Sequence, residues 1–202
     1  FTVPSTVSVG EGGTTAMYYS IVDMTLNNGL GNTVGPPQAL VSEASEKLHA
    51  TYHRNGKDIW VMTHKLNTNS FYAYLLTCDG IEDPVISNSG EIVDAEESVI
   101  PALGALKFSV SGDLVAMTYT ERIVTGSDER AWLQIGEFDN STGEVNVIES
   151  DYISVNGSII GYGLEFSPNG ENLYWSCLGN MNRLMHLELN AANPIQSATE
   201  LF

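Results

Sequence analysis

The chain has 202 residues, of which 43% are hydrophobic and 16% charged, so it is long and apolar enough to bury a core and is not a disordered polyelectrolyte. Its 25 acidic residues against 8 basic ones give a net charge of -17, which excludes a nucleic-acid partner and disfavours binding to an anionic membrane. No apolar run approaches the roughly 20 residues that span a bilayer, so no membrane insertion is expected.

The first 37 residues predict the outer half of a four-stranded unit. Residues 18–24 read as a strand, and residues 27–29 (Asn-Asn-Gly) form a turn signal because Asn and Gly tolerate positive φ. Residues 30–34 then read as an edge strand that ends at Gly35-Pro36-Pro37. Residues 1–16 contribute a strand remnant and a glycine-rich connection.

Three complete units of four short strands follow, at 38–90, 91–150 and 151–202. A turn glycine recurs between the first two strands of each unit, at Gly56, Gly112 and Gly170. The spacings are 112 − 56 = 56 and 170 − 112 = 58, so the period is regular. The predicted strands are 49–53, 58–64, 71–76 and 85–86; 105–109, 114–120, 132–138 and 145–148; and 164–167, 173–177, 183–189 and 195–197.

The repeat also aligns apolar residues. Tyr52, Phe108 and Phe166 each stand four residues before a turn glycine, and Ala50, Leu106 and Leu164 stand two residues earlier. We expect both sets to pack against the neighbouring unit. Regular recurrence of four-stranded units predicts an all-β fold, a β-propeller of four-stranded antiparallel blades. A β-sandwich is the alternative, but it would not require these shared positions.

About three and a half blades are present, whereas closed propellers have about four to eight. Either residues 1–16 supply the inner strands of a fourth blade, or the chain is a piece of a larger ring. We favour the larger ring, because the chain starts inside a motif and stops directly after an outer strand. The missing blades or a partner chain would then be needed to cover the two exposed blade faces.

Several segments resemble the propeller regions of large secreted bacterial surface proteins, those exported with a C-terminal sorting domain in gliding-type bacteria. The run from Tyr18 to Asn32 (YYSIVDMTLNNGLGN) is the most specific of them. The likeness covers nearly the whole chain from residue 17. The other matching segments are 46–48, 60–64 and 71–76, with the more generic lactonase-like or WD40-like blade signature at 106–109 and 163–170.

The resemblance implies an extracellular or cell-surface module of a larger secreted protein, which binds or scaffolds a protein or a glycan without catalysis. It carries no catalytic residues over to this chain. The sequence itself shows no nucleophile elbow, zinc-protease pair or phosphate loop. The alternative is a lactonase-like or glycan-cleaving propeller enzyme with a divalent cation at its top face.

The ligand-binding candidates for that top face are His64, Glu121 and Asp128. His64 ends a second strand, where the turn to the third strand opens onto the face that usually carries propeller ligands. His49 and His53 share a strand face, but four residues span about 13 Å, too far for one zinc ion. No cofactor is expected. Calcium binding is possible at a long loop flanked by Asp83, Asp94, Glu96 and Glu97, but a solvated acidic loop is the interpretation we favour.

Two further signals have structural interpretations. Residues 139–144 (Asp-Asn-Ser-Thr-Gly-Glu) resemble the start of a calcium loop, but the twelfth position is Ser150 and no helices flank it, so a strand-to-strand turn is predicted. Cys78 and Cys177 fall in different blades, one in an outer turn and one on a second strand, so we expect two separate thiols.

Overall fold

A computed structural model describes residues 1–2, 16–95, 100–122, 129–152, 159–179 and 182–201. These residues form antiparallel strands and short 3₁₀ turns, with no α-helix in the described ranges. None of the helical turns in those ranges is long and apolar enough to cross a membrane. Predictions that concern Glu96, Glu97 and Asp128 fall outside the described residues.

Two small sheets come first. Strand β1 (Ala16–Tyr19) pairs with β4 (Gln38–Ser42), and β2 (Val22–Asp23) pairs with β3 (Asn32–Thr33) in a hairpin between them. The predicted edge strand at 30–34 is therefore only two residues long. Residues Asn27–Gly29 form a 3₁₀ turn in which Asn27 and Asn28 adopt positive φ, which confirms the turn signal but widens the loop.

Three larger sheets follow in chain order, the first with five strands and the other two with four each. The first contains β5 (Ala44–Tyr52), β6 (Ile59–Lys65), β7 (Ser70–Thr77) and β9 (Val85–Asn88), with a short β8 (Gly80–Ile81) beside β7. The second contains β10 (Leu106–Phe108), β11 (Leu114–Arg122), β12 (Glu129–Asp139) and β13 (Glu144–Tyr152). The third contains β14 (Ile159–Phe166), β15 (Asn172–Gly179), β16 (Arg183–Glu188) and β17 (Thr199–Glu200).

The turn after each first strand has the same geometry in all three sheets. Gly56, Gly112 and Gly170 have φ of 68°, 73° and 70°, a region that glycine enters without steric penalty. Each glycine N–H donates to the carbonyl three residues earlier, over 2.9, 3.0 and 2.9 Å. The repeat read from the sequence is thus a repeat of backbone conformation.

The core lies between successive sheets. One apolar cluster joins the first and second sheets and includes Trp60, Phe71, Phe108 and Phe138. Another joins the second and third sheets around Trp175, while a smaller one holds β1 and β4 against the first sheet. Sheets that stack face to face in chain order, with β10 in contact with both β5 and β14, are blades around an axis. The described residues form an all-β propeller arc of three blades and an outer half-blade.

Both predicted packing positions, Tyr52 and Ala50, are wrong in the first blade. Phe108 and Phe166 are each 4% exposed and pack against the preceding sheet, as expected, but Tyr52 is 68% exposed. Ala50 is exposed as well, whereas Leu106 and Leu164 are buried. The reason is that the preceding sheet consists of β1 and β4 alone in the described part of the chain, so it packs on β6, β7 and the start of β5 around Ala44 and leaves the C-terminal end of β5 uncovered.

The last blade also departs from expectation. Residues Ile195–Ser197 were expected to form the outer strand, but they form a 3₁₀ turn, and the outer strand is Thr199–Glu200. Pro194 initiates this turn with helical φ and ψ, and the Ser197 hydroxyl donates to the Pro194 carbonyl over 2.6 Å. The division at residues 37 and 38 also shifts in strand terms, because β4 extends the half-blade to Ser42.

The turn and cysteine predictions agree with the structure. The predicted strand-to-strand turn at 139–144 joins β12 to β13. The Ser141 hydroxyl and N–H both donate to Asp139, which lowers the pKa of that carboxyl. Both cysteines are free thiols: Cys78 is exposed after β7, and Cys177 is buried on β15.

Candidate functional site

His64 lies at the end of β6, as predicted, but its side chain is completely buried. Its ring packs edge-on to Phe71 at 4.8 Å, and neither ring nitrogen has a hydrogen-bond partner. Burial, and secondarily the charge of Lys47, lowers the pKa of His64 to about 3. The imidazole is therefore neutral near pH 7 and presents no nitrogen to solvent.

Lys47 is buried beside His64, and its side chain binds the connection between the first two blades. Its ammonium donates to the carbonyls of Pro101, Ala102 and Leu103 at 3.0, 3.2 and 3.0 Å. Burial lowers the pKa of Lys47 to about 7, with Glu46 opposing the shift. Three carbonyl acceptors match the three protons of the ammonium form, so this charge holds the connection that leads into β10.

The other two predicted ligands do not extend this cluster within the described residues. Glu121 is exposed near the end of β11, where it accepts a hydrogen bond from the Trp132 indole at 3.0 Å and lies 3.9 Å from Arg130. Asp128 is outside the described ranges. Within those ranges no three His, Cys, Asp or Glu side chains are grouped to hold a metal ion. The combination of His64, Glu121 and Asp128 stays a prediction.

A cleft along the inner strands brings together residues that the sequence did not single out. Strands β5, β10 and β14 are each the first strand of a sheet, so each has one edge free of a sheet partner. The cleft between them has a volume of about 400 Å³, within the range of small-molecule sites. It is lined by His49, Ala50, Thr51, Tyr52, Ile59, Phe108, Ser109, Val110 and Glu165.

Two titratable groups, His49 and Glu165, line this cleft, and a third, Lys107, is paired with Glu165. The Glu165 carboxylate forms an ion pair with the Lys107 ammonium at 3.1 Å, and this pair links the second blade to the third. The Nδ1 atom of His49 accepts the N–H of Phe108 at 3.2 Å, which places the proton of the neutral ring on Nε2. Burial, then the charge of Lys107, lowers the pKa of His49. The imidazole is thus a neutral hydrogen-bond donor rather than a base at Nε2.

The lining of the cleft also includes apolar side chains. Among them are Tyr52 and Val110, which are 68% and 73% exposed, together with Ala50 and Ile59. An exposed aromatic side chain beside polar groups is a common feature of small-molecule sites. We call these four residues the apolar shelf.

A sequence signal for this site existed in the repeat. Thr51, Lys107 and Glu165 all stand five residues before a turn glycine, between the two apolar packing positions. Alternation along a strand puts this position on the face opposite Leu106 and Phe108. We call this position, five residues before each turn glycine, the slot. Because it holds Thr, Lys and Glu in successive blades, it indicates a functional site rather than a core position. Which of these side chains come together depends on how the blades stack.

A second groove, of about 360 Å³, lies between the outer strands of the first two blades. Its wall includes Glu137, Asp139 and Glu144, together with Ser87 of β9. The Ser87 hydroxyl accepts the Val145 N–H at 2.9 Å, so part of this groove is a structural junction between blades.

Comparison with known proteins supports the fold and leaves the activity open. No protein-family model matches the chain, and no curated protein sequence matches it. Several solved structures match the fold. One is a candidate 6-phosphogluconolactonase from Bacteroides fragilis, which is 12% identical to this chain with a TM-score of 0.56. The match covers 90% of this chain and 48% of that one. A candidate 6-phosphogluconolactonase from Bacteroides uniformis is 13% identical with a TM-score of 0.57, over 93% and 48%.

A protein from Lactobacillus plantarum is 13% identical with a TM-score of 0.58, over 94% of this chain and 52% of that one. The chain therefore spans about half the length of the solved structures it matches. At this identity the similarity shows the fold alone, that of lactonase-like propellers. The predicted secretion, surface location, sorting domain and binding of a protein or glycan stay predictions.

Proposed function

We propose that this arc belongs to a lactonase-type propeller that hydrolyses a sugar-derived lactone in the cleft along its inner strands. The observation that carries the proposal is the meeting of His49 and Glu165 in the lining of one accessible cleft, with Lys107 paired to Glu165 beside it. The similarity of fold to candidate 6-phosphogluconolactonases motivates the substrate class. This proposal favours the enzyme alternative over a module that only binds.

Each of the three groups has a role that fits its chemistry. Glu165 takes a proton from a water molecule as the water oxygen bonds to the lactone carbonyl carbon. The Nε2–H of His49 donates to the carbonyl oxygen as it gains negative charge, and the Lys107 ammonium, paired with Glu165, holds that carboxylate in place. The ring C–O bond then breaks, and the proton passes from Glu165 to the departing ring oxygen, which yields the hydroxy acid. The net reaction of this route adds one water molecule across the ester bond, and none of its steps uses a metal ion.

The experiment measures lactone hydrolysis by the purified protein in a pH-stat, with the spontaneous rate subtracted. Glucono-1,5-lactone and its 6-phosphate are the substrates. Glu165→Gln is expected to lower kcat by about 10²- to 10⁴-fold, the usual contribution of a general base. Glu188→Gln is the matched control, because Glu188 is exposed on β16 away from the cleft, and it should leave kcat unchanged.

Two outcomes would contradict the proposal. One is a rate no faster than the spontaneous reaction for both substrates, and the other is a Glu165→Gln rate equal to that of the unmodified protein. Binding of a sugar ring at the cleft without hydrolysis would instead favour a non-enzymatic binding module.

A further inference from the structure

We infer that the cleft selects an uncharged lactone ring over its phosphorylated counterpart. This inference rests on the proposed function, but it concerns which ring the site accepts rather than whether hydrolysis occurs. It runs against what the names of the structurally similar proteins suggest. Three observations on this chain carry it: the pairing of the local cation, the overall charge and the apolar shelf.

Lys107, which lies beside the cleft without lining it, is already paired with a carboxylate. Lys107 lies 3.1 Å from Glu165, and no Lys or Arg is among the described residues that line the cleft. A phosphate monoester carries nearly two negative charges and is normally held by unpaired Arg or Lys side chains, or by backbone N–H groups at a helix N-terminus. The described residues at the cleft form strands and turns, with no such helix end. A phosphate would also approach the Glu165 carboxylate.

The rest of the chain offers little compensating positive potential. Of its eight Lys and Arg residues, four are in ion pairs with carboxylates: Lys65, Lys107, Arg130 and Arg183. A fifth, Lys47, is buried on backbone carbonyls. With a net charge of -17, the field around the arc repels anions and lowers their local concentration.

The apolar shelf gives an uncharged ring a surface to contact. Tyr52 has most of its side chain exposed and no ring contact with another aromatic side chain among the described residues. An aromatic face of this kind packs against the C–H face of a sugar ring, while His49 and Glu165 bond its polar edge. A cleft of about 400 Å³ has room for such a ring with its hydroxyl groups.

The first experiment tests selectivity without catalysis. Calorimetric binding of D-glucose and D-glucose 6-phosphate compares two unreactive rings that differ in the phosphate group alone. The unphosphorylated ring should bind about 10-fold more tightly at low salt, and the difference should shrink as added salt screens the repulsion. Equal or tighter binding of the phosphate, or no binding of either ring, would overturn the inference.

A charge variant tests the same point in the opposite direction. Val110→Lys adds a positive charge to the shelf and is expected to tighten binding of the phosphorylated ring several-fold, whereas Val110→Gln, the uncharged control of similar length, is not. If Val110→Lys leaves the selectivity unchanged, charge does not decide it and the inference is wrong. Failure of the proposed function is distinguishable, since it appears as absent hydrolysis while ring selectivity persists.

Discussion

His64 illustrates how a single residue can carry a strong pH dependence without touching solvent. Its folded pKa of about 3 lies below the value of about 6.5 that the side chain has in the unfolded chain. A base with a depressed folded pKa stabilises the fold above its unfolded pKa, and that stability is lost as the pH falls through the window toward the folded value. The charged group packed beside it is Lys47, whose ammonium adds to the penalty for protonation.

Replacement of His64 by Leu should therefore flatten the acid side of the stability curve. Between pH 7 and pH 4 the unmodified protein should lose about 3 kcal/mol more free energy of unfolding than His64→Leu, because only the unmodified protein must bind this proton on unfolding. Urea unfolding followed by tryptophan fluorescence at both pH values measures the difference. Parallel curves for the two proteins would show that the imidazole is not neutral and buried.

At the scale of strands, the inter-blade position four residues before each turn glycine allows a matched pair of substitutions. Phe108→Ala should destabilise the protein by about 3–5 kcal/mol, because Phe108 is 4% exposed between two sheets and its removal leaves a cavity. Tyr52→Ala, at the same repeat position, should change the stability by less than about 1 kcal/mol, because Tyr52 is 68% exposed. Denaturant midpoints compare the two variants directly.

Equal losses from the two substitutions would mean that the first blade is covered on its Tyr52 face in solution. That result would support the expectation that the arc belongs to a larger ring. It would also require the cleft to be described again with the covering sheet as one of its walls.

Strand identity was predictable from the sequence because period-two alternation and turn glycines are local signals. Phe166 and Trp175 are buried for the reason that their alternation indicates. Burial of Tyr52 was not predictable from its repeat position, since it depends on whether a neighbouring sheet is present. The cleft was missed for the same reason: Lys107 and Glu165 are 58 residues apart in sequence, and only the stacking of two blades places them 3.1 Å apart.

The net charge of the whole molecule should affect its stability. Repulsion among the excess carboxylates at a net charge of -17 opposes the compact state at low ionic strength. Raising NaCl from 10 to 500 mM at pH 7 should stabilise the protein by about 1 kcal/mol, which corresponds to a Tm increase of about 2–4 °C. Differential scanning calorimetry measures it.

The control uses the protein near its isoelectric point of about 4.3, where the net charge is small and the salt effect should largely disappear. A salt effect of the same size at both pH values would assign the stabilisation to general exclusion of salt from the protein surface instead of to charge repulsion.

The slot occupied by Thr51, Lys107 and Glu165 has a consequence for how such an arc could be redesigned. Its neighbours on either side carry the packing of the second and third blades, while the slot itself faces away from that packing. The Lys107–Glu165 ion pair links two blades but is partly exposed, so exchange of either residue should change the stability by less than about 1 kcal/mol. The arc is in this sense a modular scaffold: one residue in each repeat sets the chemistry along the inner strands, and that residue can be substituted without changing the fold.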